Sequence, residues 1–304
     1  MAIEENPGIL LYTRIRKSPY FHASRQHGVR RYSVYNHTYH PRHYGDPVAE
    51  YWALLEGVTL WDVGVERQIE ISGPDAFTFT NMMTPRDLNK CAVRQAKYAF
   101  ITLPDGGIAN DPVLMRLEEN RFWLSLADSD IGLWAQGLAY HSGLDVTIGE
   151  VDVAPVQLQG PKSREVMAGL FGEKILEIPY YHMSEDLQLD GMRVCVSRTG
   201  YTGELGYEVW CHPSDGEAVW DAIWEAGQAH QIKPLAPTRL SPSNFPPTTA
   251  PPPIHNRFHH AVTVASVQTA RNLPATISTR FAGLISSVSI VPRSFSPAHR
   301  SIAG

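Results

Sequence analysis

The chain has 304 residues, of which 43% are hydrophobic and 19% charged, enough for a large buried core in one or two domains. This composition excludes the collagen-like, coiled-coil and wholly disordered classes. The net charge of −5 provides no overall basic field for a polyanion, which argues against nucleic acid as a partner and favours a small or cationic ligand.

The cysteines and the apolar segments indicate a compartment. Cys91, Cys195 and Cys211 form no CxxC pair and cannot build a disulfide framework. The first residues lack the basic and apolar regions of a signal peptide, and the longest mostly apolar stretch, 281–291, is too short to span a bilayer. We therefore expect a cytoplasmic protein without a membrane partner.

One local unit occurs twice along the chain. A strand over residues 70–72 ends in Gly73-Pro74 and precedes a helix over 75–83. The same order of strand, Gly-Pro and helix recurs over residues 156–171. Proline suits the first helical position, where its missing N–H costs nothing. The repetition predicts two related α+β lobes.

Other elements follow from hydrophobic periodicity and capping signals. Apolar runs predict strands over residues 122–126, 194–196 and 206–210. Ser214 and Glu217 have the spacing of a capping box and predict an amphipathic helix that ends near Gly227.

Two glycine-containing turns carry the polar residues of most interest. In the turn over 198–208, three glycines allow the backbone to approach a flat ring, and Glu204 can accept two parallel N–H bonds, such as those of a pterin edge. The turn over 104–112 ends in a polar pair, Asn110-Asp111. The alternative for both is an ordinary hairpin, with Glu204 exposed and Asp111 as a cap.

The other candidate sites are weaker. His37, His40 and His43 recur every third residue, but Pro41 interrupts any helix there, and this spacing is more typical of a solvated loop than of a metal site. The sequence has no GxSxG nucleophile elbow, and the isolated cysteines lack a sequence signature of activation. We therefore predict no metal site.

The last quarter of the chain differs in composition from the rest. Residues 1–225 carry a charge of −12, whereas residues 226–304 carry +7 and contain no Asp or Glu. From residue 241 the sequence is rich in Pro, Ser, Thr and Arg and has no amphipathic periodicity. This segment is a basic tail for a partner, a disordered linker, or, as we favour, the product of translation out of frame.

Seven segments, taken in order, resemble the tetrahydrofolate-binding aminomethyltransferase family, which comprises the glycine cleavage T-protein and its relatives. They are Pro41-Arg42-His43-Tyr44, Trp61-Asp62-Val63, Ile71-Ser72-Gly73, Lys97-Tyr98, Gly106-Gly107-Ile108-Ala109-Asn110-Asp111, Leu158-Gln159-Gly160-Pro161 and Thr199-Gly200-Tyr201-Thr202-Gly203-Glu204. The resemblance covers about residues 10–240. It implies a two-lobed α+β folate-binding domain over residues 1–240, and the family's C-terminal β-barrel cannot be found in residues 241–304.

The resemblance also implies a cofactor, partners and a set of site residues. The cofactor is tetrahydrofolate, and the partners are a small-molecule methyl or aminomethyl donor and a lipoyl carrier protein. Glu204 is expected to hold the pterin edge, with Tyr98 and Tyr201 lining the cofactor pocket. Asn110 and Asp111 are the expected catalytic pair, near the folate nitrogens.

One departure from the family pattern affects the expected reaction. Aminomethyltransferases carry two consecutive acids where this chain has Asn110-Asp111. That substitution, together with the segments over 32–37, 63–68 and 83–88, resembles the dimethylsulfoniopropionate demethylase branch. The expected function is therefore demethylase-like one-carbon transfer to folate. The alternatives are a glycine cleavage aminomethyltransferase, which the turn at Glu204 resembles more, and a non-catalytic folate-binding remnant or regulator.

Overall fold

The computed structural model describes residues 12–237. They form a mixed fold of α-helices and β-sheets, which confirms the predicted class. The domain boundary expected at residue 240, the interpretations of residues 241–304 and the expected lack of a β-barrel lie outside the described residues.

The described part of the chain contains six α-helices and sixteen strands. The α-helices are α1 (Phe21–Gln26), α2 (Pro47–Glu56), α3 (Ala76–Met83), α4 (Ile131–Ser142), α5 (Ser163–Phe171) and α6 (Gly216–Gly227). The strands are β1 (Arg16–Lys17), β2 (Arg31–Tyr35), β3 (Thr38–His43), β4 (Thr59–Asp62), β5 (Gln68–Ser72), β6 (Gln95–Tyr98), β7 (Ile101–Thr102), β8 (Ile108–Asn110), β9 (Val113–Glu118), β10 (Arg121–Ser125), β11 (Thr147–Glu150), β12 (Ala154–Gln159), β13 (Met183–Leu189), β14 (Met192–Ser197), β15 (Gly206–Cys211) and β16 (Lys233–Leu235).

A five-stranded antiparallel sheet forms the first lobe. Its strands lie in the order β11-β5-β10-β9-β6. Because side chains alternate along a strand, one face carries the apolar set and packs against α3 and α4. The buried members of this core include Ile69, Ile71, Phe79, Leu114, Phe122, Leu124 and Ile131.

A six-stranded sheet, in the order β13-β14-β15-β12-β4-β16, forms the second lobe. Its apolar face packs against α5 and α6 through a separate core, in which Trp220 of α6 is fully buried. The strand members of this core include Leu60, Val156, Leu158, Val194, Val196, Tyr207 and Val209. The residues between them in sequence therefore lie on the other face of this sheet.

The two sheets meet through those other faces. Trp123 of β10 and Trp210 of β15 pack in one cluster with their ring centroids 6.3 Å apart. At the edge of this contact, the backbone N–H of Ala96 donates to the carbonyl oxygen of Tyr181 at 2.7 Å, so β6 is tied to the residues that lead into β13. The residues next to this cluster on both sheets therefore face one another.

A small N-terminal sheet, in the order β1-β3-β2, contacts the first lobe. Asn36, between β2 and β3, binds the loop after β10: its backbone N–H donates to Asp128 at 2.8 Å and its side-chain amide to the carbonyl oxygen of Leu126 at 3.2 Å. The backbone N–H of Ser129 donates in return to Asn36 Oδ1 at 3.0 Å. These bonds hold Tyr35, the last residue of β2, beside the first lobe.

The repeated unit is confirmed as β5–α3 and β12–α5, each joined by Gly-Pro. A Cβ on Gly160 would lie 2.5 Å from the carbonyl oxygen of Gly57, and one on Gly73 would lie 2.8 Å from that of Asp145, so both turns require glycine. The prolines do not occupy the first helical position, because α3 and α5 begin two residues after them.

The other predicted elements have mixed outcomes. The strands predicted over 122–126, 194–196 and 206–210 correspond to β10, β14 and β15, and the predicted C-terminal helix is α6. The capping box is wrong: α6 begins at Gly216, Asp215 precedes it, and no side-chain hydrogen bond caps it. Ser214 instead lies in a short 3-10 turn, where its backbone N–H donates to His212 Nδ1.

Candidate functional site

A row of polar side chains crosses the six-stranded sheet on the face that meets the other lobe. The strand register places Gln157 of β12 opposite both Trp61 of β4 and Glu208 of β15, and Glu208 opposite Ser197 of β14. Directly opposite residues share one face of a sheet. Glu208 is two residues from Trp210, so the row lies beside the contact between the lobes.

The opposing sheet contributes a second row. Ser125 of β10 lies opposite Gln68 and Val113, and Val113 lies opposite Tyr98. Ser125 is two residues from Trp123, so this row also lies on the inter-sheet face. We call the region between the two rows the inter-sheet cleft.

Two carboxyls belong to this cleft: Glu208, which is buried, and Glu66, which is half-buried. The hydroxyl of Ser125 donates to Glu66 Oε2 at 2.6 Å, and the hydroxyl of Thr199 donates to Glu208 Oε2. Burial raises the pKa of both carboxyls, and the charge of Glu208 raises that of Glu66 further. The two groups therefore favour states in which they do not both carry a charge.

Asp111, the residue that follows β8, also lies at the cleft. The hydroxyl of Tyr98 donates to Asp111 Oδ2 at 2.8 Å. Burial raises the pKa of Asp111, while this hydrogen bond opposes the rise. The pKa of Tyr98 is raised by burial and by the same bond. Two predicted site residues, Tyr98 and Asp111, are thus brought together.

Asn110 has different surroundings from Asp111. Its side-chain amide donates to the carbonyl oxygen of Ala127 at 2.9 Å and to the hydroxyl of Ser129 at 2.6 Å, and its Oδ1 accepts from the N–H of Ala127 at 3.2 Å. Asn110 is 4% exposed. Both ends of the amide therefore bind the loop after β10, which Asn36 also binds.

Aromatic side chains complete the walls of the cleft. Tyr201 contacts Trp61 edge-on, with centroids 5.8 Å apart. Its pKa is raised by burial and then by the charge of Glu66 and other neighbours. Tyr35 likewise has a pKa raised by burial and then by the charges of Glu66, Asp111 and Asp128. Aromatic faces beside carboxylates form surroundings that suit a cationic group.

The glycine-rich turn after β14 is shaped by a side chain of this chain itself. A Cβ on Gly200 would lie 2.4 Å from Gln159 Nε2, and one on Gly206 would lie 2.2 Å from the amide of the same residue. That amide donates to the carbonyl oxygen of Thr199 at 3.2 Å and accepts from Thr202 Oγ1 at 2.7 Å. Two of the turn's glycines are therefore needed for this internal approach, independently of any ligand.

Glu204 lies in this turn but outside the polar row. It is half-buried, and its backbone N–H donates to Thr202 Oγ1 at 3.2 Å. Its charge adds to the burial that raises the pKa of Tyr51, so the carboxylate lies towards α2. Its assignment to the pterin edge stays a prediction.

Three polar residues of the cleft were missed by the sequence analysis. They are Glu66, Gln157 and Glu208. A signal was available for Glu208, because a lone acid within a strand that is otherwise apolar requires a buried partner.

The three histidines of the candidate metal cluster do not converge. His37 is exposed beside Asp130 at 3.2 Å. His40 is buried, and burial lowers its pKa to about 3. Within residues 12–237, no three His, Cys, Asp or Glu side chains come together in a way that could hold a metal ion.

Comparison with known proteins identifies the family. Residues 20–239 match the GCVT N-terminal domain. The chain belongs to the GCVT family. Within residues 12–237, no helix of this GCVT chain is both long enough and apolar enough to cross a membrane.

Two curated relatives of this GCVT chain are named for different reactions. A dimethylsulfoniopropionate demethylase of Ruegeria pomeroyi is 35% identical over 75% of this chain and 62% of its own length. An aminomethyltransferase of Alkaliphilus metalliredigens is 29% identical over 62% of this chain and 52% of its own length. The chain thus spans between half and two thirds of the length of these relatives.

A solved structure shares the GCVT fold. The glycine cleavage system aminomethyltransferase T of Bartonella henselae superposes with a TM-score of 0.65 at 22% identity, covering 73% of this chain and 60% of that one.

Proposed function

We propose that the inter-sheet cleft binds tetrahydrofolate and that the protein transfers a one-carbon unit to it, with the chemistry of a demethylase. The observation that carries this proposal is the buried carboxyl of Glu208 on one sheet, set across the cleft from the Tyr98–Asp111 pair on the other. Membership of the GCVT family and the two relatives named above support it.

The residues of the cleft fit a pterin. A pterin is flat, carries paired N–H donors on one edge and needs an acceptor for them when it is buried. Glu208 supplies that acceptor, and the aromatic side chains of Tyr98 and Tyr201 supply walls for a flat ring. Glu204, in the turn towards α2, is the other carboxylate that we consider for this role.

Tetrahydrofolate supplies a nucleophilic nitrogen when it is bound. The residues of this chain orient the two reactants and keep water away from them, which accounts for much of the acceleration of a simple group transfer. Tyr35, with Glu66, Asp111 and Asp128 as its acidic neighbours, offers a place for a cationic donor.

The amide of Asn110, in place of an acid, favours a methyl onium donor. A sulfonium loses its methyl group and leaves as a neutral sulfide, so no proton has to be delivered to the leaving group. An aminomethyl donor has to release ammonia, and an acid helps that step. Asn110 has no acidic proton to transfer, and its amide binds the 127–129 loop.

Asp111 supports the second candidate, the aminomethyltransferase reaction with a lipoyl carrier protein. Burial raises the pKa of Asp111, so the carboxyl holds a proton at higher pH than an exposed aspartate does. In either reaction, the Tyr98 hydroxyl fixes the position of this carboxyl.

Mass spectrometry of the folate product tests the proposal. The full 304-residue chain is incubated with tetrahydrofolate and either dimethylsulfoniopropionate or an aminomethylated lipoyl carrier protein. We expect 5-methyltetrahydrofolate from the first donor, and little 5,10-methylenetetrahydrofolate from the second. Methylene product from the carrier protein without methyl product from dimethylsulfoniopropionate would support the aminomethyl reaction. Folate binding with no product from either donor would indicate the non-catalytic alternative.

The state of the cysteines supports a proposal for the compartment. Cys91, Cys195 and Cys211 are all free thiols, with Cys91 and Cys211 buried. Because free thiols persist in reducing surroundings, we propose the cytoplasm.

A further inference from the structure

The side chain of Gln157 is fully buried at the centre of β12, and neither atom of its amide has a hydrogen-bond partner within residues 12–237. An amide offers two donors and one acceptor, and leaving them unmatched in the interior destabilises a fold. Buried polar groups of native proteins are almost always partnered, so an unmatched one requires an explanation. A bound ligand provides that explanation.

The neighbours of Gln157 on both sides already have other partners. On β4, Trp61 Nε1 donates to the hydroxyl of Thr59 at 2.8 Å. On β15, Glu208 Oε2 accepts from the hydroxyl of Thr199. Both neighbours lie directly opposite Gln157, one strand spacing of roughly 5 Å away. The amide of Gln157 and the carboxyl of Glu208 are therefore set side by side on the inter-sheet face.

We propose that Gln157 is a specificity-determining residue, whose amide hydrogen-bonds the same heteroaromatic ring that Glu208 binds. This inference rests on the proposed folate site and extends it to a second side chain. A 2-amino-4-oxo ring presents two N–H donors next to a carbonyl oxygen. A carboxylate beside an amide matches that order, because Glu208 accepts from the N–H groups and the Gln157 amide donates to the carbonyl oxygen.

Replacement of Gln157 by an apolar residue of similar shape separates a ligand-binding role from a structural one. In the full 304-residue chain, Gln157→Met removes the unmatched amide, so the unliganded variant is expected to unfold at the same temperature as the wild type or higher. Its affinity for tetrahydrofolate, measured by titration calorimetry, is expected to fall about tenfold. Tetrahydropterin, which lacks the tail, is expected to lose affinity by the same factor.

Two further variants make the outcome decisive. Gln136 is exposed on α4, where its Nε2 donates to the carbonyl oxygen of Ile148 at 3.2 Å, so Gln136→Met is the matched control and keeps its affinity. A Gln157→Met variant that is less stable than the wild type, or that binds tetrahydrofolate equally well, overturns the inference. If Glu208→Gln weakens binding while Gln157→Met does not, the folate site stands without Gln157. Absence of binding by the wild type overturns both.

Discussion

The hydroxyl of Tyr98 donates a hydrogen bond of 2.8 Å to Oδ2 of Asp111. This bond joins the last residue of β6 to the residue that follows β8, within the same lobe. It also opposes the effect of burial on the Asp111 carboxyl, because it stabilises the charged form. The same hydrogen bond therefore fixes the position of this carboxyl and affects its ionisation.

Tyr98→Phe removes the bond and keeps the ring. The pKa of Asp111 is expected to rise further, because burial then acts without the opposing hydrogen bond. Carbon-detected NMR of the aspartate carboxyls across pH measures the change. Tyr140→Phe, at a residue that is 85% exposed, is the control and should leave the titration of Asp111 unaltered. An unchanged Asp111 titration in Tyr98→Phe would show that the bond does not set its ionisation.

Asn110→Asp places a carboxylate where an amide now donates to the carbonyl oxygen of Ala127. Two oxygens then face each other in a buried position, and the variant is expected to lose about 1–3 kcal/mol of unfolding free energy. Urea denaturation measures this loss. Asn81→Asp is the matched control, because Asn81 Oδ1 accepts from the N–H of Leu88 and a carboxylate can do the same. Equal stability of the two variants would contradict the structural role of Asn110.

Gly206→Ala is expected to destabilise the second lobe. The added Cβ would lie 2.2 Å from the amide of Gln159, which holds the turn from Thr199 to Thr202. We expect a loss of about 2–4 kcal/mol, comparable to overpacking combined with a broken buried hydrogen bond. Gly137→Ala is the control: Gly137 lies within α4 with open space around its Cβ position, so alanine should stabilise the helix slightly. Thermal unfolding measures the stability of both variants, and a Gly206→Ala variant as stable as Gly137→Ala would contradict the expectation.

We expect Asp62 to make the free energy of unfolding depend on pH. Burial raises its pKa to about 7. The hydroxyl of Ser18, which donates to Asp62 Oδ2 at 2.6 Å, opposes this rise. Between the unfolded pKa, near 4, and the folded one, the folded state binds more protons, so the free energy of unfolding falls as pH rises through this window. Asp62→Asn is expected to flatten this part of the profile by on the order of 2 kcal/mol. Urea denaturation from pH 4.5 to 8 measures it. A slope equal to that of the wild type would contradict the assignment to Asp62.

Local sequence signals predicted the elements of this fold better than its site. The Gly-Pro units at Gly73 and Gly160 stand out because a steric requirement, close approach to a carbonyl oxygen, permits only glycine there. The hairpin after β7 follows from Asp105 and Gly106, since the Asp105 carboxylate caps the N–H of Gly107 at 2.9 Å. Such signals act within a few residues and can be read without the tertiary structure.

The cleft depends on contacts between distant parts of the chain. Gln157 and Glu208 are neighbours only because β12 and β15 pair in one particular register, and Glu66 joins them from the other lobe. Glycines that suggested room for a ligand instead accommodate Gln159, a residue some 40 positions earlier. No local pattern contains the strand register or the approach of Gln159. The lone acid in the strand over 206–210 marks Glu208 as unusual, but it does not show which residues lie beside it.

Titration of tetrahydrofolate into the wild type, Glu208→Gln and Glu204→Gln tests the central claim most directly. Because Glu208→Gln removes the charge and one acceptor from a buried position, we expect a loss of roughly 2–4 kcal/mol of binding free energy, with folding intact by thermal unfolding. Glu204→Gln, at a half-buried position outside the polar row, is expected to lose less. Wild-type affinity in Glu208→Gln, or no measurable binding by the wild-type chain, would contradict the assignment of the inter-sheet cleft as a folate site.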